Sequence, residues 1–195
     1  MLKRIRIGTI LNIILLVLMA SYTYSWMVTE PSYGEVINYE RDLIIASSGV
    51  DVEVYLYDND INDYVLYEDE DIVINNMAPN DAIRFKFVMK NTKRVSTLTD
   101  IIFANIYGDI EFLTPFMTFE CSSPDVFVRN FASDLKETST YGGLEVSNYM
   151  KFYDDFKVES GGENIIYWSI KLDKTASNDI IDKTMTIDNI IFMNS

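Results

Sequence analysis

The residues with the most suggestive chemistry are acidic. Asp58-Asn59-Asp60-Ile61-Asn62-Asp63 places oxygen donors at Asp58, Asp60 and Asn62, alternate positions as at the start of a calcium loop. An EF-hand would carry glycine where Asp63 stands and a bidentate glutamate at position twelve, where Asp69 stands. The preceding run, Val50 to Tyr57, alternates like a strand rather than entering from a helix. The calcium candidates are therefore Asp58, Asp60, Asn62 and Asp69, in a site between strands backed by Glu68-Asp69-Glu70-Asp71. The competing reading is a solvated acidic hairpin tip.

Other chemistry is narrowed by what the chain lacks. It contains no histidine, which removes the usual general base, the Ser-His-Asp triad and HExxH metal sites. Cys121 is its single cysteine, so an intramolecular disulfide and a thiolate zinc cluster are both ruled out, and a buried thiol is expected. Glycosidase chemistry needs two carboxylates facing each other across a cleft, and 30 acidic side chains single out no pair. Trp168 and the 13 tyrosines would suit a sugar-stacking platform, but Trp168 shares parity with apolar Ile166, Ile170 and Leu172, which places it in a core. The reading is of a non-enzyme with no cofactor other than calcium. A net charge of -14 argues against nucleic acid as a partner, because phosphates would be repelled.

The first 25 residues give an address. Lys3, Arg4 and Arg6 precede an apolar run from Ile7 to Ala20, and no charge follows until Glu30. The uncharged stretch is just long enough to cross a bilayer as a helix, while its apolar part has the length of a signal-peptide core. Thr23 and Ser25 stand at the -3 and -1 positions of a cut between Ser25 and Trp26. Both outcomes stay open: a removed signal peptide, or an anchor holding the chain in the membrane through residues 7–26. Either way the remainder is exported. The predicted organisation is residues 1–25 as signal or anchor and 26–195 as one domain.

Alternation dominates the exported part. Val50, Val52, Val54 and Leu56 share one face, as do Ile83, Phe85, Phe87 and Met89, and again Ile166, Trp168, Ile170 and Leu172. Met150, Phe152, Phe156 and Val158 form another such face, and Gly161-Gly162 then predicts a hairpin into the strand after Ile165. Thr99 to Tyr107 and Thr186 to Met193 read as central strands. Tyr64 to Tyr67 and Ile72 to Ile74 read as edge strands. Ser123-Pro124-Asp125, with Phe127, Phe131 and Leu135 at four-residue spacing, predicts one helix near residues 124–137. The expected fold is all-β, a jelly-roll-like β-sandwich with one short helix after the N-terminal segment.

Three motifs carry a family resemblance. The aromatic-and-small run Ala20-Ser21-Tyr22-Thr23-Tyr24-Ser25-Trp26 follows the apolar segment. Ala78-Pro79-Asn80-Asp81 precedes a strand that exits at Asn91-Thr92, with Asn80 where a glycine is usual. Trp168-Ser169-Ile170-Lys171-Leu172-Asp173 is followed by Ala176-Ser177-Asn178 and a last strand through Phe192. Together they resemble the TasA/camelysin group of exported Gram-positive proteins, which a SipW-type signal peptidase processes. The resemblance implies a jelly-roll sandwich at the cell surface or in the biofilm matrix, and fibres built by donating an N-terminal strand to the next subunit. The protease activity described for some camelysin-type proteins finds no metal-ligand motif here.

Strand donation also has a physical basis, since an extended segment completes an open sheet edge. Glu35 to Ala46 is placed for it, or for folding back as the first strand of its own sandwich. The leading expectation is a structural surface or matrix protein that self-associates. The alternative is a membrane-anchored module binding carbohydrate or calcium.

Overall fold

A computed structural model describes residues 43–47 and 49–194, all within the compact unit Gly34–Ser195. The readings of residues 1–25, of the cut between Ser25 and Trp26, of membrane contact through 7–26 and of the segment 35–42 lie outside the described residues. Among the described residues, no helix is long and apolar enough to cross a membrane.

Alternating runs of branched and aromatic residues bury one face and wet the other, so the chain is built from strands. These are β1 (Ile44–Ala46), β2 (Val50–Asp58), β3 (Asp63–Leu66), β4 (Ile72–Ile74), β5 (Ala82–Asn91) and β6 (Thr97–Gly108). After the single-turn helix α1 (Ile110–Leu113) come β7 (Met117–Ser123), β8 (Phe127–Asn130), the single-turn helix α2 (Phe131–Asp134) and β9 (Lys136–Tyr141). The chain then forms β10 (Leu144–Val158), β11 (Glu163–Leu172) and β12 (Met185–Asn194).

One sheet has the order β1-β12-β6-β10-β9, with β4 also paired to β12; the other has the order β3-β2-β5-β11-β7-β8. The rows β4-β12-β6-β10 and β5-β11-β7-β8 form an eight-stranded jelly roll. β2 and β3 widen the second sheet, β9 widens the first, and β1 shares an edge with β4. The all-β sandwich expected from the alternation is the observed fold.

Between the sheets lies one aromatic core. Trp168 stacks on Phe85 with ring centroids 4.4 Å apart and lies 4.8 Å from Phe103, 5.0 Å from Phe87 and 5.6 Å from Phe152. Phe85, Phe87, Met89, Ile166, Trp168, Ile170 and Leu172 are all buried, as their parity predicted. β6 is central, held between β12 and β10. β3 and β4 are short edge strands, as expected.

Two local expectations are corrected. The helix near 124–137 contracts to the single turn Phe131–Asp134, capped by Asn130, whose side chain accepts from the Ala132 N–H at 3.1 Å. Phe127 instead enters β8, where it pairs with Cys121. A four-residue interval between Phe127 and Phe131 is met equally well by a strand that runs into one helical turn. The hairpin around Gly161-Gly162 is likewise absent. β10 pairs with β6 and β9, and β11 with β5 and β7, so residues 159–162 cross from one sheet to the other. The tight hairpin of β10 is made earlier, with β9 through Gly142-Gly143.

β10 bends where its pairing with β6 shifts register, between Lys151 and Phe156. Asp100 fixes the bend: one carboxylate oxygen accepts from the Asp155 N–H at 2.9 Å and the other from Lys151 Nζ at 2.7 Å. Burial opposes the Lys151 charge, but its hydrogen bonds to Asp100 and Asp154 outweigh that and hold it above the ordinary lysine range.

Candidate functional site

The outer flank of β12 is covered in an unusual way. Its inner flank keeps one register with β6 from Met185 opposite Gly108 to Asn194 opposite Thr99, interrupted only at Asp188, where Asn105 turns to φ 53°. The outer flank carries two separate three-residue strands. β4 runs antiparallel along Met185–Ile187, with Ile187 opposite Ile72. β1 runs parallel along residues 190–192, with Ile44 opposite Ile190 and Ala46 opposite Phe192. The Ile190 N–H donates to the Leu43 carbonyl and the Ser47 N–H to the Phe192 carbonyl, both at 2.7 Å.

Apolar burial holds β1 more than its backbone does. Leu43 is 5% exposed and joins the main core. Ile45, 3% exposed, joins a satellite cluster with Ile102, Ala104, Val146, Tyr149 and Ile191. Beneath β1 opens a cleft of about 370 Å³ at the mouth of the sandwich, lined by Leu43, Ile44, Val52, Val54 and Leu66, with Glu68 and Asp69 also on its wall.

Two carboxylates meet where the pairing of β4 with β12 ends, in the gap before β1. The antiparallel register that sets Ile187 opposite Ile72 makes Asp188 and Asp71 cross-strand neighbours, a repulsive pairing. Burial, and then the Asp71 charge, raise the Asp188 carboxyl above its ordinary range. Tyr67 closes the same corner by donating to the Asp71 carbonyl at 2.8 Å. Burial and the nearby Asp69 and Asp71 carboxylates push its phenol up to about 12.

The calcium candidates have local roles. A carboxylate oxygen of Asp58 accepts from the Asp60 N–H at 2.7 Å and the Ile61 N–H at 3.4 Å, closing the turn between β2 and β3. Asn62 adopts φ 55° and accepts from the Tyr57 hydroxyl at 2.6 Å. Asp69 lies in the loop after β3. Among the described residues, no group of three or more Cys, Asp or Glu side chains converges as a metal site would require.

Trp168 is 2% exposed, and its indole N–H finds no acceptor among the surrounding rings. It is a core residue. Cys121 is buried too, its thiol pushed up by burial while it donates to the Ser123 carbonyl at 3.6 Å.

Four tyrosines fall on the other face of the same sheet. On β2, β3 and β11 the outward positions hold Tyr55, Tyr57, Tyr64 and Tyr167, and on β5 they hold Arg84 and Lys86. Tyr64 meets Tyr57 edge-on at 5.1 Å and Tyr167 at 5.5 Å. Lys86 Nζ lies over the Tyr55 ring at 4.1 Å and the Tyr64 ring at 5.3 Å, while the Arg84 guanidinium lies over Tyr57 at 5.3 Å. Parity places Tyr55, Tyr57, Arg84, Lys86 and Tyr167 outward, whereas the short run Tyr64–Tyr67 does not alternate and gives Tyr64 no side. Their meeting depends on the strand order β3-β2-β5-β11, which no local pattern encodes.

No family model matches the chain, and no curated protein matches it. Among solved structures it is similar to AvmM, which catalyses macrocyclization in alchivemycin A biosynthesis, with 10% identity, 74% of this chain and 73% of that one covered, and a TM-score of 0.38. It is also similar to a family IIIA CBD from Clostridium cellulolyticum, with 12% identity, 68% and 75% coverage and a TM-score of 0.23. At such scores neither likeness assigns a function.

Proposed function

We propose that the chain is an exported structural protein of the cell surface or extracellular matrix whose sandwiches join by exchanging the N-terminal strand. The observation that supports this most is the divided outer flank of β12. Leu43 enters the main core and Ile45 of β1 the satellite cluster, and the chain leading into them comes from the segment read as an export signal.

Such a strand can be supplied by its own chain or by a neighbour. The same Leu43 and Ile45 side chains enter the same positions either way, so exchange loses no contact and only the connecting segment changes. The TasA/camelysin resemblance fits the same reading. It adds a SipW-type peptidase acting between Ser25 and Trp26, with residues 7–26 as the membrane contact until that cut.

Residues 26–195 are expected to form filaments as concentration rises, visible by electron microscopy, and Ile45→Asp should suppress them. A protein that remains monomeric at high concentration would remove the assembly reading.

A further inference from the structure

We infer that the outer face of β2, β3, β5 and β11 is a docking surface for an acidic polysaccharide whose sugars carry carboxylates. The inference is independent of strand exchange.

Charge is the first argument. The chain has 30 acidic side chains against 16 basic ones, yet no ion pair among the described residues includes Arg84 or Lys86. Neighbouring Lys90 and Lys171 do pair, with Glu163 and Glu120. A protein with acids to spare thus leaves two cations free at the centre of an aromatic patch. They sit at alternate positions of one strand, about 7 Å apart along it, a periodic charge suited to a polymer with periodic carboxylates.

Pre-organisation is the second. The Tyr57 hydroxyl is held by Asn62 at 2.6 Å and the Tyr55 hydroxyl by Glu53 at 2.9 Å. These two rings are therefore restrained before a ligand arrives, which reduces the entropy lost on binding. Half-buried aromatic rings offer apolar faces to the C–H faces of sugars, while the cations take the carboxylates.

Other occupants fit less well. β2, β5 and β11 each pair on both sides, so a peptide backbone could add only along the four-residue edge strand β3, two strands away from Arg84 and Lys86 on β5. Duplex nucleic acid carries a charge every ~1.7 Å and would meet the repulsion of the whole acidic chain. A polymer with one carboxylate per sugar has a sparser charge, so less repulsion from the acidic chain opposes its contact with Arg84 and Lys86.

The test is titration calorimetry of the full chain in detergent micelles with polygalacturonate, alongside neutral dextran and polyphosphate. The expected result is binding to polygalacturonate that weakens with salt, and none to dextran. Arg84→Gln with Lys86→Gln should lower affinity about tenfold or more, and Tyr64→Leu about tenfold. Lys174→Gln, on a loop, should change nothing. A melting curve for each variant separates lost binding from lost folding, and Lys86→Gln alone provides a change that leaves the core untouched. Absence of binding would overturn the proposal, as would equal binding of polyphosphate. Unchanged affinity in the Arg84/Lys86 variant, or in a folded Tyr64→Leu variant, would overturn it too.

Discussion

The two flanks of β12 meet the same hydrogen-bonding need in opposite ways. Toward β6 the pairing runs the length of the strand and is sealed by fully buried Ile101, Phe103 and Ile106. Toward solvent it is divided between β4 and β1, with Asp188 at the break. The difference separates two tasks. One flank fixes the sandwich, while the other is closed by two strands of three residues each.

The largest effect should come from the fixed flank. Phe103→Ala removes a ring packed against Phe119, Phe152 and Trp168, and we predict a loss of about 3–5 kcal/mol in chemical denaturation. On the divided flank, Ile45→Ala should cost about 2 kcal/mol. Hydrogen exchange probes the contrast more directly: the Ile190 and Ser47 amides, which bond across the β1 edge, should exchange well before the β6 amides. Equal protection on both flanks would break the comparison.

The smallest effect sharpens it through pH. The Asp188 carboxyl is raised in the folded chain, so folding disfavours its ionised form; stability is lost as pH rises through the folded value and regained at acid pH. Asp188→Asn should therefore raise the melting temperature by about 1–2 °C at neutral pH, and the gain should fade on acidification. A gain that persisted at acid pH would mean that the charge is not its source.

What the sequence disclosed follows from the range of each interaction. β2, β5 and β11 were legible because every second side chain enters one core, so alternation reports burial directly. Met117, Phe119 and Cys121 alternate just as well in β7, but three apolar positions among polar ones are a weak signal. β9, Lys-Glu-Thr-Ser-Thr-Tyr, has no apolar face and exists because β10 offers it a partner. Gly161-Gly162 marked a change of direction correctly. Which strand β11 would then join was decided by β5 and β7, far away in the chain. The outer tyrosine face was hidden for the same reason, whereas Trp168 was placed in the core by parity alone.

The parallel pairing of β1 with β12 has a mechanical side. The described chain enters at Leu43 and leaves at Asn194 along two neighbouring strands that run the same way. Tension between a tethered N-terminal end and a load on the C-terminal end would therefore slide β1 and β12 past each other lengthwise. Under such shear the contacts of Leu43, Ile45 and Ser47 yield together rather than unzipping in turn. A strand only three residues long thus resists pulling better than its size suggests, while remaining easy to peel from the side.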